Sequence, residues 1–178
     1  MTIRELFENN CKDSDMVELY EVIRNKTKKC KNVVEFGVWE WKITTAILAW
    51  LWRYGKLVGY DKVSKSAVAE LKEVAKQERK YFSYLWWDSI VMDIPESDML
   101  IIDTLHNANQ LWAELYDSHK KIDKWIVICG TNKYSEIWED EWHLWLKFAI
   151  NKFVTDIGWW EIDKVSCEWY GFTILKKS

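Results

Sequence analysis

The chain of 178 residues is long enough to form one domain with a sizeable core, and its formal net charge is only −3. This balance does not favour a nucleic-acid surface, which would need a basic patch or stripe. No apolar run approaches the ~18–20 residues that span a bilayer, and the polar start MTIRELFENN lacks the apolar core of a signal peptide. We therefore expect a single cytoplasmic domain with neither a nucleic-acid nor a membrane partner.

The counts of tryptophan, glycine and cysteine are also informative. The chain has 14 tryptophans and only 6 glycines, although glycine usually makes up about 7% of a protein and tryptophan is not among the common residues. A compact protein needs glycine for turns and close backbone approaches, so we interpret the excess and the shortage as one feature. The four cysteines form no Cys-x-x-Cys pair, which favours free thiols over a zinc site or a disulfide framework; they are Cys11, Cys30, Cys129 and Cys167.

Apolar periodicity and turn residues predict the secondary structure in chain order. Residues 2–28 form two helices, with N-caps at Thr2 and at 13–14. A buried strand at 33–36 leads through a turn at Gly37 into a helix that continues to Arg53. Further strands are predicted at 56–61, 81–85, 97–103 and 125–129, and further helices at 66–77, 108–119 and from 146 onward. A closing antiparallel hairpin pairs residues 160–166 with 170–175.

The stretch from 32 to 45, NVVEFGVWEWKITT, organises the rest of the chain. A strand, a tight turn and a helix N-terminus together make a site for a cofactor's polar end, because free backbone N–H groups and the helix dipole point at one spot. Glu35 lies inside the apolar run, and a buried carboxylate is rare unless something pairs with it. The alternative is a glutamate at the end of the strand that faces solvent.

Two further acids end predicted strands. Asp61 ends the second strand roughly two dozen residues after Gly37, where an acid can accept hydrogen bonds from two ribose hydroxyls; a helix or turn cap is the alternative. Asp103 ends the fourth strand and is followed closely by His106. A carboxylate and an imidazole are suited to proton removal or to holding a divalent metal. A loop cap or a supporting partner is the alternative for His106.

The opening turn resembles the first motif of class I S-adenosylmethionine-dependent methyltransferases, in which a strand ends in Glu/Asp-x-Gly-x-Gly-x-Gly. The matching residues here are Glu35, Gly37, Trp39 and Trp41, so tryptophan stands at two of the three glycine positions. The run IIDTLHNANQLWAEL resembles a methyltransferase subgroup that carries Ile-Asp-x-x-His before a helix, and YGFTIL resembles the family's final strand. The resemblance spans roughly residues 15–176.

This resemblance implies an α/β, Rossmann-like three-layer sandwich. It would contain a mostly parallel seven-stranded sheet with an antiparallel strand near the edge and helices on both faces. The single domain would span 1–178, with N-terminal helices in 1–30 and the core in 32–176. The implied cofactor is S-adenosyl-L-methionine, and the implied acceptor is a small molecule.

The resemblance also implies roles for particular residues. Asp103 and His106 would line the place where cofactor and acceptor meet, as the catalytic pair. Asp88 stands where the family has Gly-Asp-Ser and would read the adenine amino group, although a turn aspartate is the alternative. The implied cofactor-binding set is Glu35, Gly37, Trp39, Trp41, Asp61 and Asp88. Related sequences often end the fifth strand with His-Asp-Thr, whereas this chain reads Cys129-Gly130-Thr131, so we expect no metal.

Several tryptophans stand where the family has glycine, notably Trp39, Trp41 and Trp87. Our hypothesis is an alternative genetic code, in which the natural gene uses UGA for glycine and this chain carries tryptophan instead. A naturally tryptophan-rich protein is the alternative. An indole buries ~150–250 Å² when packed, so Trp39 and Trp41 would intrude on the cofactor space and impair binding.

Two other functions stay open. A dinucleotide-dependent NAD(P) oxidoreductase would need G-x-G-x-x-G with glycine at 37, 39 and 42, but position 42 is Lys42. A non-catalytic, methyltransferase-like binding module is compatible with the altered turn and the missing acid. The polar segment 134–145 is predicted to be a mobile loop over the site, and His119 and His143 are predicted to be surface residues rather than ligands.

Overall fold

The computed structural model describes residues 1–11, 15–38, 41–62, 68–134 and 145–178. Within these ranges the chain forms six α-helices and seven strands, with a short 3-10 helix at His119–Lys121. The helices are α1 (Ile3–Cys11), α2 (Val17–Thr27), α3 (Lys42–Trp50), α4 (Val68–Gln77), α5 (Ala108–Ser118) and α6 (Leu146–Ile157). The strands are β1 (Asn32–Phe36), β2 (Lys56–Asp61), β3 (Tyr81–Trp86), β4 (Ser97–Ile102), β5 (Ile122–Cys129), β6 (Trp160–Val165) and β7 (Phe172–Lys177).

The strands form one seven-stranded sheet in the order β3-β2-β1-β4-β5-β7-β6. Strands β1 to β5 pair in parallel, whereas β7 runs antiparallel to both β5 and β6. The predicted α/β fold, with a mostly parallel sheet and an antiparallel strand near one edge, is therefore confirmed.

Two apolar clusters cover the two faces of the sheet, because neighbouring residues of a strand point to opposite sides. Val33 of β1 packs in the cluster that contains α1, α2, α3 and α4. Val34 and Phe36 pack in the cluster that contains α5 and α6. Glu35 points to the same side as Val33 and comes after it along β1, so its carboxyl group lies near the end of the strand beneath α3.

The ends of three parallel strands meet at the same edge of the sheet. The backbone N–H of Gly37 donates to the carbonyl of Tyr60 at 2.9 Å, and that of Asp103 donates to Phe36 at 2.8 Å. Gly37 has φ +82°, and a Cβ at this position would collide with the Asp103 carbonyl. Glycine is therefore required here both for its backbone angle and for the close approach of the two chain segments.

Most predicted boundaries agree with the structure to within a few residues. Thr2 caps α1 as expected: the Glu5 N–H donates to Thr2 Oγ1 at 3.1 Å, and the Thr2 N–H donates to the Glu5 carboxylate at 2.7 Å. The helix predicted to reach Arg53 ends at Trp50, because Leu51 takes an extended backbone with ψ 144°. The cap predicted at 13–14 lies outside the described residues. No helix in the described ranges is long and apolar enough to cross a membrane.

Candidate active site

A cleft of about 760 Å³ opens at the carboxyl ends of the parallel strands. Ligands of open α/β sheets bind at this edge. Six residues predicted from the sequence line the cleft: Glu35, Gly37, Trp41, Asp61, Asp103 and His106. Residues from distant segments complete its wall, including Met16, Ser89, Gln110, Lys133, Tyr134 and Tyr170.

Glu35 is buried, as predicted, with 1% of its surface exposed. Its partner is Thr44 in the first turn of α3, whose hydroxyl lies 3.0 and 2.9 Å from the two carboxylate oxygens. The pKa of Glu35 is raised to about 8: burial is the main cause, the hydrogen bond from Thr44 lowers it, and the charges of Asp103 and Asp61 contribute to the rise. The side chain is therefore mostly protonated at neutral pH and can ionise when a cation enters the cleft.

The turn after β1 carries an unusual backbone conformation at Trp41. This residue precedes α3 with φ +62° and ψ −1°, in the left-handed region. L-residues with side chains rarely adopt it, and glycine adopts it freely. The indole packs against Tyr84 with ring centroids 5.9 Å apart and lies in the cleft wall. Trp39, the other tryptophan predicted in this turn, lies outside the described residues.

The acids at the ends of β2 and β3 differ in their surroundings. Asp61 lines the cleft, and its carbonyl accepts a hydrogen bond from the Trp87 N–H at 3.1 Å. Asp88 pairs instead with the ammonium of Lys62 at 3.0 Å and accepts a hydrogen bond from the Ile90 N–H at 3.1 Å. The residues on either side of Asp88 line the cleft, but Asp88 is not among its lining residues.

Asp103, His106 and Tyr170 form a compact polar cluster. The Tyr170 hydroxyl donates to Asp103 Oδ1 at 2.6 Å and lies 3.3 Å from His106 Nε2. His106 Nε2 is 3.6 Å from the same Asp103 oxygen, and the imidazole stacks on Tyr134 with centroids 4.0 Å apart. Burial and the neighbouring Asp103 hold the pKa of Tyr170 well above its ordinary value, so the phenol stays protonated and acts as a donor.

Gly130 explains why an acid is missing at the end of β5. It has φ +70°, and a Cβ at this position would lie 2.6 Å from both Cδ2 and Nε2 of His106. A side chain at position 130 would therefore overlap the imidazole of His106 in its observed position. The family resemblance pointed to the absent acid, but only the packing shows that the imidazole occupies its space.

Sequence reasoning did not identify Tyr170 or Glu114. Tyr170 belongs to the YGFTIL run and directly precedes Gly171, but nothing in the sequence connects it with Asp103. Glu114 is fully buried in α5, and burial raises its pKa. The sequence feature that could have identified Glu114 is a charged residue on the apolar face of a predicted helix, between Leu111 and Leu115.

The expectation that His119 lies at the surface was wrong. This residue is 2% exposed, and its Nδ1 lies 2.7 Å from the Tyr116 carbonyl. The ring packs edge-on against Phe153 and Trp159, and His119 does not line the cleft. Helix periodicity placed it at the end of α5 but could not show that α6 covers it. His143 lies outside the described residues.

No protein-family model matches the chain, and no curated protein matches its sequence. Solved structures do share its fold. The N-methyltransferase NodS from Bradyrhizobium japonicum WM9, in complex with S-adenosyl-L-homocysteine, is 12% identical, with a TM-score of 0.67 and coverage of 98% of this chain and 96% of that chain. An O-methyltransferase from Bacillus cereus in complex with S-adenosyl-L-homocysteine is 15% identical, with a TM-score of 0.63 and coverage of 99% and 89%.

A ribosomal protein L11 methylase from Lactobacillus delbrueckii subsp. bulgaricus is 10% identical, with a TM-score of 0.65 and coverage of 92% of this chain and 78% of that chain. The chain therefore has the fold of the class I S-adenosylmethionine-dependent methyltransferases, as its sequence resemblance predicted.

Proposed function

We propose that the chain is an S-adenosylmethionine-dependent methyltransferase that acts on a small-molecule acceptor. The observation that carries the proposal is the convergence of Glu35, Gly37, Asp61 and Asp103 on one cleft at the carboxyl edge of the sheet. The fold supports it, because the NodS and Bacillus cereus structures contain S-adenosyl-L-homocysteine.

The residues of the cleft fit this cofactor. The bare backbone at Gly37 and the N-terminus of α3 suit its amino-acid end, and Glu35 can accept hydrogen bonds from its ammonium group. Asp61 at the end of β2 is placed to accept from the ribose hydroxyls. When bound, the cofactor supplies an electrophilic methyl group on a sulfonium centre.

The acceptor side of the cleft contains the cluster around His106. Because the Tyr170 hydroxyl donates its hydrogen bond to Asp103, the phenol oxygen can accept a hydrogen bond from the Nε2–H of His106. That arrangement leaves the basic lone pair of the imidazole on Nδ1. We propose that His106 takes a proton from the acceptor hydroxyl or amine, while Asp103 and Tyr170 hold the ring and stabilise its charge.

Impaired cofactor binding in this chain is part of the proposal. Trp41 lies in the cleft wall in a conformation suited to glycine, which supports glycine as the residue for which this turn was built. Six tryptophans in the described part of the chain have exposed side chains, although tryptophan is usually well buried; they are Trp52, Trp86, Trp87, Trp145, Trp159 and Trp169. Both observations support the alternative-code hypothesis. TGG codons at positions 39, 41 and 87 of the natural gene would refute it.

Calorimetry with S-adenosylhomocysteine tests the function and the impairment together. A chain carrying Trp39→Gly, Trp41→Gly and Trp87→Gly should bind S-adenosylhomocysteine at least about tenfold more tightly than the unsubstituted chain. Removing a clash that costs about 1.4 kcal/mol already lowers the dissociation constant tenfold. The matched control carries Trp52→Gly, Trp145→Gly and Trp159→Gly, which replace three exposed indoles outside the cleft. Equal tight binding by all three chains would contradict the impairment.

Two further assays, thermal unfolding with ligand and methyl transfer, separate the alternative functions. The sheet has the antiparallel strand β7 between β5 and β6. The usual sheet of an NAD(P) oxidoreductase has the order 3-2-1-4-5-6 with no strand inserted there, so the topology favours the methyltransferase. Protection from thermal unfolding by NAD but not by S-adenosylhomocysteine would reverse this choice. Binding without methyl transfer to any of a panel of small hydroxyl and amine acceptors would favour the non-catalytic module.

A further inference from the structure

Glu114 connects three separate parts of the cleft wall. Its carboxylate is fully buried and accepts hydrogen bonds from Ser89 Oγ at 2.5 Å, Thr104 Oγ1 at 2.9 Å and Gln110 Nε2 at 3.0 Å. All three donors line the cleft, whereas Glu114 lies behind them. A buried carboxylate needs such partners, because leaving it without them would be costly.

The two hydroxyls lie where the base of a bound nucleoside would be expected. Ser89 follows Asp88 in the connection between β3 and β4, and Thr104 follows Asp103 just after the end of β4. The Trp87 N–H donates to the Asp61 carbonyl, which joins this connection to the end of β2. If Asp61 holds the ribose, as the proposed function requires, the base extends toward Ser89 and Thr104.

The direction of these hydrogen bonds fixes what the wall can recognise. A hydroxyl has one proton to donate and two lone pairs that accept. Both hydroxyl protons are already donated to Glu114, so Ser89 and Thr104 can offer only lone pairs to a ligand. Such a wall favours a ligand edge that carries N–H groups and disfavours one that carries a carbonyl oxygen.

We infer that Glu114 is a positioning residue that keeps Ser89 and Thr104 as acceptors and thereby selects the amino group of an adenine base over the carbonyl of hypoxanthine. This inference rests on the proposed function, because it takes the bound ligand to be an adenosyl compound. A purely structural role for the network would affect the binding of both bases equally.

The test compares the affinities of S-adenosylhomocysteine and S-inosylhomocysteine by calorimetry. The chain of 178 residues with Trp39→Gly and Trp41→Gly provides the background, and the unsubstituted chain is measured beside it. The background should bind the adenosyl ligand about tenfold or more tightly than the inosyl ligand. A hydroxyl lone pair that faces the inosyl carbonyl has no hydrogen-bond donor, and leaving it unpaired in the complex costs binding free energy. Glu114→Gln should reduce that preference at least about tenfold, since an amide N–H that donates to either hydroxyl turns the hydroxyl proton toward the ligand.

Thr104→Val provides a second variant that keeps the Glu114 carboxylate and removes one of its three hydrogen-bond donors. It removes one acceptor from the wall and should weaken adenosyl binding more than inosyl binding. Thermal unfolding without ligand shows whether each variant is folded, and if Glu114→Gln does not fold, Thr104→Val decides. An unchanged ratio of the two affinities in the folded variants overturns this inference alone. If neither ligand binds to the background, both this inference and the proposed function are overturned.

Discussion

Replacing Trp41 by glycine and by alanine tests whether the turn after β1 was built for glycine. The backbone of Trp41 has φ +62°, a conformation that costs an L-residue roughly 1–2 kcal/mol. Glycine avoids that cost but loses about 0.5–1 kcal/mol more in chain entropy on folding than alanine. Both replacements remove the same contact with Tyr84, so it cancels in the comparison. We expect Trp41→Gly to be more stable than Trp41→Ala by about 1 kcal/mol.

Trp112 is the matched control, because it lies inside α5 in ordinary helical backbone. There glycine is about 0.8–1.0 kcal/mol worse than alanine, so the sign should be reversed. Urea denaturation of the four variants gives the free energies of unfolding, and the two differences should differ by about 2 kcal/mol. If the alanine variant is as stable as the glycine variant at position 41, or more stable, the left-handed turn and the argument for glycine in the natural protein both fail.

The remaining predictions concern the cleft. Glu35→Gln should flatten the pH dependence of stability, because the pKa of Glu35 is raised from 4.5 to about 8 on folding. The contribution of Glu35 to the free energy of unfolding is fully present below pH 4.5 and is lost as pH rises toward 8. The loss is at most about 1.4 kcal/mol per pH unit. Thermal unfolding between pH 5 and 8 measures this, and parallel curves would contradict it. Tyr170→Phe and His106→Asn, each made in the glycine-restored chain, should lower the rate of methyl transfer by about 10²-fold. Their affinity for S-adenosylhomocysteine, measured by calorimetry, should be unchanged. Loss of binding in both variants would instead indicate a structural role. Asp61→Asn should weaken S-adenosylhomocysteine about tenfold, since the charge-assisted hydrogen bonds to the ribose become neutral ones, and equal affinity would remove Asp61 from the cofactor site.

Local patterns were enough to predict the order of the elements and much of the cleft. Residues at the carboxyl ends of strands, such as Asp61 and Asp103, must meet at one edge once the strands are parallel, because parallel strands have their carboxyl ends together. Glu35 could be predicted as buried because it interrupts an apolar run. The sequence could not show its partner, since Thr44 approaches the carboxylate only after α3 packs over β1.

Contacts between segments far apart in the chain were beyond the sequence. Tyr170 reaches Asp103 because β7 runs antiparallel beside β5, which places the residues just before β7 at the edge of the sheet where the parallel strands end. His119 is buried because α6 covers the end of α5, and its own surroundings in the sequence contain no sign of that packing.

The sequence by itself determined the strand–turn–helix at Gly37, the acids at the strand ends and the position of tryptophan where the family has glycine. These features depend on local backbone preferences and on periodicity, which neighbouring residues set. Only the tertiary structure decided that Gly130 makes room for His106, that Trp41 adopts a left-handed backbone and that Glu114 directs two hydroxyls of the cleft. The arrangements at Gly130 and Glu114 depend on distances between atoms of separate segments, and those distances are fixed only when the sheet and both helical layers are packed. The angle at Trp41 could not be predicted because a tryptophan does not by itself favour it.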